Sequence, residues 1–204
     1  MALWTISAQT GTGGLEVARE LAARTGVPLL DRAALAVVAR ELEPGLGADP
    51  DELEERICSR LSALALGVAA STGQPDAVRE LRLRRNLPEL ARTVLRMAAR
   101  QPAVVLAQGA FAALRDHPAG THVRLRAPFA WRVAELQRRD LVPRERAERL
   151  LRHEDQLHRA FVRMLYHVDV DDPAQFSLVL DVSRFPRERV VATLLAAAAT
   201  PAAG

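Results

Sequence analysis

The chain has 204 residues, of which 49% are hydrophobic and only 4% aromatic, and its formal net charge is +3. This length and hydrophobic fraction predict one α/β domain, over residues 1–204, with a helix-rich core. The single cysteine, Cys58, excludes a disulfide within the chain, and no run of about 20 apolar residues predicts a membrane span.

All 28 basic residues are arginine, so lysine cannot serve as a phosphate ligand anywhere in the chain. Any cation that faces an anionic ligand must be an arginine, which prefers planar, bidentate contacts. The small excess of basic residues does not favour a nucleic-acid partner. The N-terminus lacks the basic and apolar regions of a signal peptide, and with one cysteine a reduced cytoplasmic compartment is expected.

In chain order, residues 3–7 form a short apolar strand, a loop with three glycines follows, and residues 15–25 carry a helical apolar stripe. Asp31 is placed as the N-cap of the next helix. Strands are further predicted at 27–30, 102–107, 121–126 and 176–182. Helices are predicted at 32–42, 51–71, 86–100, 109–114, 127–140, 150–166 and 186–199.

Five strands that alternate with helices predict a three-layer α/β fold, in which a parallel sheet is covered by helices on both faces. Ligands of such sheets bind beyond the carboxyl ends of the strands. The glycine loop follows the first strand directly, so it lies at that edge of the sheet.

The glycine loop, Gly11-Thr12-Gly13-Gly14, has the order strand, loop, helix that is typical of a phosphate cradle. The usual P-loop pattern is G-x-x-x-x-G-K-[ST], and Gly14 stands where its lysine would be. The loop is present while its usual cation is missing. A tight turn without a ligand is the alternative interpretation, and the hydroxyl of Thr12 is either a ligand contact or a turn former.

Several segments in a fixed order resemble the cytidylate kinase-like family of P-loop nucleoside monophosphate kinases. The resembling segments are residues 6–18, 27–32, 104–110, 123–133, 155–161 and 172–183. The resemblance implies a P-loop kinase-type fold with a helical acceptor-side segment at about 43–100 and a helical lid at about 140–170. It also implies an ATP- and Mg²⁺-dependent phosphoryl transfer to a nucleoside monophosphate such as CMP.

The resemblance assigns the candidate site residues by position, and it leaves any protein ligand of a metal unknown. The ATP phosphates would lie on Gly11, Thr12, Gly13 and Gly14. The acceptor would meet Asp31, Arg32, Gln108 and Gly109. Catalysis would depend on Arg132, Asp155 and Arg159.

Three positions depart from the family pattern, and each departure removes an arginine. Leu15 follows the glycines where the family usually has arginine, Gln108 replaces the arginine of a Gly-Arg-Gly turn, and His158 stands at the lid arginine. Arg159 comes one residue later, a rotation of about 100° on a helix. Removing an arginine aimed at a transferring phosphoryl group can cost about 10³-fold in rate.

Other functions remain open for several of these side chains. Arg132 faces the phosphates or pairs with Glu135 on its own helix, and Asp155 positions a metal, positions an arginine or is solvated. His153 and His158 lie on different helix faces, which does not favour a metal pair.

At the level of the whole protein, the sequence favours either a phosphotransferase or a nucleotide-binding module of the same fold that has lost turnover. It leaves the acceptor and the oligomeric state open.

Overall fold

The computed structural model describes residues 2–31, 34–35, 93, 95–96 and 99–199. Most of the predicted helices at 32–42 and 86–100, and all of the one at 51–71, lie outside the described residues, as do Arg32, Cys58 and the arginine run at 79–85. The described residues of these segments are helical at Ala34, Leu35, Thr93, Leu95 and Arg96.

Five parallel strands form one sheet in the order β2-β3-β1-β4-β5. Their bounds are β1 Leu3–Ala8, β2 Leu29–Leu30, β3 Ala103–Leu106, β4 Gly120–Arg126 and β5 Leu178–Asp181. The predicted α/β sheet is therefore confirmed, with β2, β3 and β5 shorter than expected. Strand β2 does not include Pro28, because proline has no N–H to donate to the sheet. The carbonyl of Pro28 still accepts a hydrogen bond from Val104 N at 3.0 Å.

Helices cover both faces of this sheet. The described helices are α1 Gly14–Thr25, α2 Ala110–Ala113, α3 Phe129–Asp140, α4 Arg144–Tyr166 and α5 Arg187–Ala199. At the end of β5, Val182–Arg184 form a 3₁₀ turn capped by the carboxylate of Asp181, which accepts from Ser183 N at 3.0 Å. This turn ends the strand before the predicted boundary at 182.

Alternate residues of β1 supply the two core layers. Trp4 and Ile6 pack with α1 and α5 on one face, whereas Leu3 packs with α2 and the C-terminal part of α4 on the other. The N-terminal part of α4 packs instead on α3, through Ala147 and Leu151. Helix α4 thus joins α3 to the core of the sheet, across the edge where β1 and β4 end.

Candidate functional site

The glycine loop has the backbone geometry of an anion cradle. Gly11 and Gly13 have φ of 87° and 71°, a left-handed conformation that favours glycine. The amides of Gly13, Gly14 and Leu15 have no acceptor within the described part of the chain. They belong to the first turn of α1, where a helix leaves its N–H groups unpaired and carries partial positive charge. The geometry fits a phosphate or a similar anion.

Position 14 requires glycine because β1 lies close to it. A Cβ on Gly14 would lie 2.3 Å from the Cβ of Ala8, whereas one on Gly13 would meet nothing closer than Glu16 Oε2 at 3.6 Å. No side chain can therefore occupy position 14 without moving the loop or the strand. The missing P-loop lysine is thus excluded by packing as well as by composition.

The hydroxyl of Thr12 acts as a turn former. It donates to the carbonyl of Gln9 at 2.6 Å, and Thr12 N donates to the same carbonyl at 3.1 Å. Gln9 in turn accepts from Ala127 N through Oε1 at 3.2 Å. The loop is therefore closed on itself and attached to the end of β4.

A pocket of about 400 Å³ opens beside this loop, between α3 and the start of α5. Its wall contains the loop and α1 residues Gly11, Thr12, Gly13, Glu16 and Val17, the α3 residues Trp131, Glu135, Leu136, Arg138 and Arg139, and Val182, Phe185, Pro186, Arg187 and Val190. The sequence prediction did not include this pocket, because its second wall lies more than a hundred residues from the loop.

The predicted catalytic residues Arg132 and Asp155 lie together. The guanidinium of Arg132 donates to Asp155 Oδ1 at 2.9 Å and to Oδ2 at 2.7 Å, and it also donates to Thr10 O at 3.2 Å. Arg132 is 3% exposed, and its Nε has no partner in the described part of the chain. Asp155 therefore positions an arginine, and the alternative pairing of Arg132 with Glu135 is wrong: Glu135 accepts from Arg138.

A second group of charges lies at the ends of β1 and β4. Arg124, 5% exposed, donates to Ser7 Oγ at 2.9 Å and to Asp171 Oδ1 at 3.1 Å. Arg159 donates to the other oxygen of Asp171 at 2.7 Å. Burial opposes ionisation of Asp171, but the hydrogen bond from Arg159 and the charge of Arg124 outweigh it and lower the pKa of this carboxyl. Arg159 is thus held by a carboxylate.

His158 lies between the two groups of ion pairs. Its side chain is half-buried, its Nε2 atom is buried, and burial together with the charge of Arg124 lowers its pKa to about 4. Asp171 and Asp155 oppose the shift, and Arg159 adds to it. A neutral imidazole therefore occupies the position where the resemblance implies a lid arginine.

We expect His158 to make the protein less stable as the pH falls. The unfolded histidine binds its proton near pH 6.5 but the folded one only near pH 4, so the free energy of unfolding decreases across this window. The expected loss between pH 7 and 5 is about 2 kcal/mol. Urea unfolding of the wild type and His158→Gln at both pH values measures it.

His158→Gln should lose less stability than the wild type over the same interval. Buried His122, whose pKa burial also lowers, contributes equally to both proteins and cancels. Equal losses in the two proteins would contradict the assignment to His158.

Two of the predicted acceptor residues, Asp31 and Gly109, have structural roles of their own. Asp31 accepts from Ala34 N at 3.2 Å, the bond expected of an N-cap. Gly109 has φ of 74°, and a Cβ there would lie 2.2 Å from the ring of Tyr166. Gln108 is half-buried beside it. Both Asp31 and Gly109 have structural reasons for their identity, and their contact with an acceptor stays a prediction.

Two kinds of site find no support within the described ranges. No group of three or more His, Cys, Asp or Glu side chains among these residues could hold a metal ion. None of the helices found there combines the length and apolar composition that a bilayer crossing needs.

Solved structures with this architecture span nearly the whole chain. An uncharacterized protein from Eubacterium ventriosum is 13% identical with a TM-score of 0.69, and the match covers 96% of each chain. A gluconokinase from Sinorhizobium meliloti is 16% identical with a TM-score of 0.53, covering 97% of this chain and 91% of the other. At such identities the likeness shows the fold alone.

Sequence comparison supplies the family. No curated protein sequence matches the chain significantly. The profile of the cytidylate kinase-like family, in contrast, matches residues 4–184, which include the glycine loop, both groups of ion pairs and all of the sheet except Leu3. The chain therefore belongs to the cytidylate kinase-like family.

Proposed function

We propose that the protein binds a nucleotide, with its phosphates on the glycine loop and its base in the adjoining pocket. The observation that carries the proposal is that three amides, at Gly13, Gly14 and Leu15, have no acceptor among the described residues and lie beside a pocket of about 400 Å³. The amides supply donors for a phosphate, and the pocket has room for a base and a sugar.

The chemistry of the pocket wall fits such a ligand. Trp131, Phe185 and Pro186 offer apolar surface to a planar ring. Among the described residues, the exposed guanidiniums of Arg138 and Arg139 pair with the surface carboxylates of Glu135 and Asp140. Exposed ion pairs contribute little free energy, so these guanidiniums can exchange a carboxylate for a phosphate.

ATP with Mg²⁺ is the proposed ligand. The carboxylates of Glu16 and Glu135 also line the pocket, and their charge opposes a bare triphosphate. A divalent cation would offset this repulsion while taking most of its ligands from phosphates and water, which suits a site with few protein ligands for a metal.

We propose further that turnover is weak or lost. The loop has glycine and leucine at positions 14 and 15, and His158 is neutral. Arg132 and Arg159, the candidate catalytic cations, are already bound to carboxylates. Phosphoryl transfer depends on cations that face the transferring group.

The second candidate is an ATP-dependent phosphotransferase that acts on a nucleoside monophosphate such as CMP. Membership of the cytidylate kinase-like family favours it. Its acceptor would lie near Asp31, Arg32, Gln108 and Gly109, and direct catalytic contacts of Arg132, Asp155 and Arg159 remain predictions.

Gly13→Ala is expected to abolish nucleotide-induced stabilisation. For the wild type, ATP and Mg²⁺ at a hundredfold excess over Kd should add about 2.7 kcal/mol, a rise in Tm of about 5–10 °C. A methyl group at Gly13 prevents a phosphate from approaching the loop backbone. Thermal unfolding with and without ATP, Mg²⁺ and CMP measures the difference.

Gly26→Ala is the matched control. Gly26 has φ of 69°, close to the 71° of Gly13, and a Cβ there meets no atom of the described residues within 4 Å. Both variants should lose about 1–2 kcal/mol from left-handed strain, but only Gly13→Ala should lose the nucleotide effect. An unchanged shift in Gly13→Ala would refute the loop as the phosphate site. ADP formation in wild-type samples would favour the second candidate.

A further inference from the structure

Arg132 lies between the glycine loop and α4 and contacts both. Its Nη1 donates to the carbonyl of Thr10 at 3.2 Å and to Asp155 Oδ1 at 2.9 Å, and its Nη2 donates to Asp155 Oδ2 at 2.7 Å. One side chain, buried to 3% exposure, therefore joins the loop to a helix that begins at Arg144.

The backbone of Arg132 also supports the loop. A Cβ placed on Gly11 would lie 3.2 Å from both the Cβ and the carbonyl oxygen of Arg132. The loop therefore packs directly on α3 at this residue. The guanidinium lies over the ring of Phe129, 5.6 Å from its centroid, so its direction is also restricted from the side of α3.

We propose that Arg132 and Asp155 are a positioning pair, which holds the glycine loop in its phosphate-binding shape and links that shape to the position of α4. The hydrogen bonds of Nη1 and Nη2 go to Thr10 O and to Asp155, so the pair acts on a bound anion through the carbonyl of Thr10 and the loop backbone. This function replaces the direct phosphate contact expected of a catalytic arginine.

The burial of the pair supports this function. The side chains are 4% and 13% exposed, so both charges have lost most of their water. A buried ion pair is a costly way to gain stability, since apolar side chains of similar volume often do as well, but its bidentate geometry sets distance and angle. Such a fixed distance and angle are what a side chain needs in order to hold the glycine loop in place relative to α4.

Helix α4 is tied to the same edge of the sheet at a second point, one turn further along. Arg159 donates to Asp171, which also accepts from Arg124, and Arg124 reaches Ser7 at the end of β1. The loop follows β1, which is connected to α4 through Arg124 and Asp171. It also packs on α3, which is connected to α4 through the pair Arg132 and Asp155. A displacement of α4 must act on the loop from both sides.

Amide hydrogen exchange in the free protein tests the positioning pair. The amides of Gln9, Thr12 and Ala127 are protected by bonds that define the loop, to Leu125 O, Gln9 O and Gln9 Oε1. In Asp155→Asn these three amides should exchange at least about tenfold faster, since one acceptor of the bidentate pair becomes a donor. Amides of β3 and of the middle of α5 should stay within about twofold of wild type.

Glu148→Gln is the control, because it removes a carboxylate from the same helix whose partners, Arg144 and Arg152, are exposed. It should leave the loop amides unchanged, and Asp155→Glu, which keeps the charge, should restore part of their protection. Unchanged loop exchange in Asp155→Asn, or an equal increase throughout the sheet, overturns the proposal.

Arg132→Lys provides a second measurement if Asp155→Asn does not fold. It keeps the charge but loses the fork, so the same three amides should exchange faster, and unchanged exchange again overturns the proposal. No nucleotide is present in this experiment, so its failure is distinct from a failure of the proposed function.

Discussion

Gly14→Ala should lower the free energy of unfolding by about 1–3 kcal/mol and remove any stabilisation by ATP. Alanine is the better helix former by about 1 kcal/mol, and position 14 begins α1, so helix propensity alone predicts a gain. The steric clash outweighs this gain and makes the change in the free energy of unfolding negative, because the new Cβ would lie 2.3 Å from the Cβ of Ala8. Urea unfolding and a thermal shift with ATP measure the two effects.

The reciprocal substitution at Ala8 is the control for this prediction. Ala8→Gly removes the opposing Cβ and should itself cost about 0.5–1 kcal/mol. In Ala8→Gly combined with Gly14→Ala, the methyl group moves to the other side of the same contact, so the double variant should be more stable than Gly14→Ala. A Gly14→Ala protein at least as stable as the wild type would contradict the close packing of loop and strand.

Gly109→Ala should lower the free energy of unfolding by about 2–5 kcal/mol, the sum of left-handed strain and overpacking. Gly109 has φ of 74°, and a Cβ would lie 2.2 Å from Cε2 and 2.8 Å from Cδ2 of Tyr166. The ring is 7% exposed and packs in the core with Leu165, so it has little room to move. Chemical denaturation measures the change.

Gly26→Ala separates the two contributions, since Gly26 shares the left-handed conformation but has open space around its Cβ position. It should lose only about 1–2 kcal/mol. If Gly109→Ala costs no more than this, the ring of Tyr166 does not press on Gly109 in solution. A large difference would explain the glycine by packing alone, without an acceptor nucleotide.

The sheet could be predicted from the sequence because its signals are local. An apolar run of residues 103–106 between Pro102 and Gly109 marks a buried strand by itself, and alternation with helices then predicts parallel pairing. Asp31 as an N-cap and Thr12 as a turn former depend on neighbours within three residues, and both bonds are present. Because each of these bonds joins residues that are close in sequence, the residues that form them could be identified from the sequence.

The charge pairs could not be predicted because they join distant segments. Arg132 has Glu135 within one helical turn, but it binds Asp155, 23 residues further on, since α3 and α4 pack on each other. Ser7 and Arg124 face each other across β1 and β4 although 117 residues separate them. Strand order decides that contact, and no local pattern contains it.

Contacts between distant segments also explain why the arginines have other partners in the structure than the sequence predicts. The resemblance implies a catalytic function for Arg159, one residue after the lid arginine of the family, whereas in the structure Arg159 binds Asp171, from the turn after α4. Arg124 was not a candidate, because an arginine within a strand pattern gives no sign that its neighbour is a serine at the loop entrance. The one sequence signal for Arg124 is its place between two apolar residues, Val123 and Leu125, in a predicted strand.

The positions of the two tryptophans give the protein an optical reporter of its own. Trp4 is 4% exposed in the apolar core, whereas Trp131 lines the pocket beside the glycine loop. Their indole rings therefore have different surroundings, and only one of them borders the proposed ligand. The tryptophan emission of a Trp4→Phe protein comes from Trp131 alone, so that occupancy of the pocket can be followed by titration without a label.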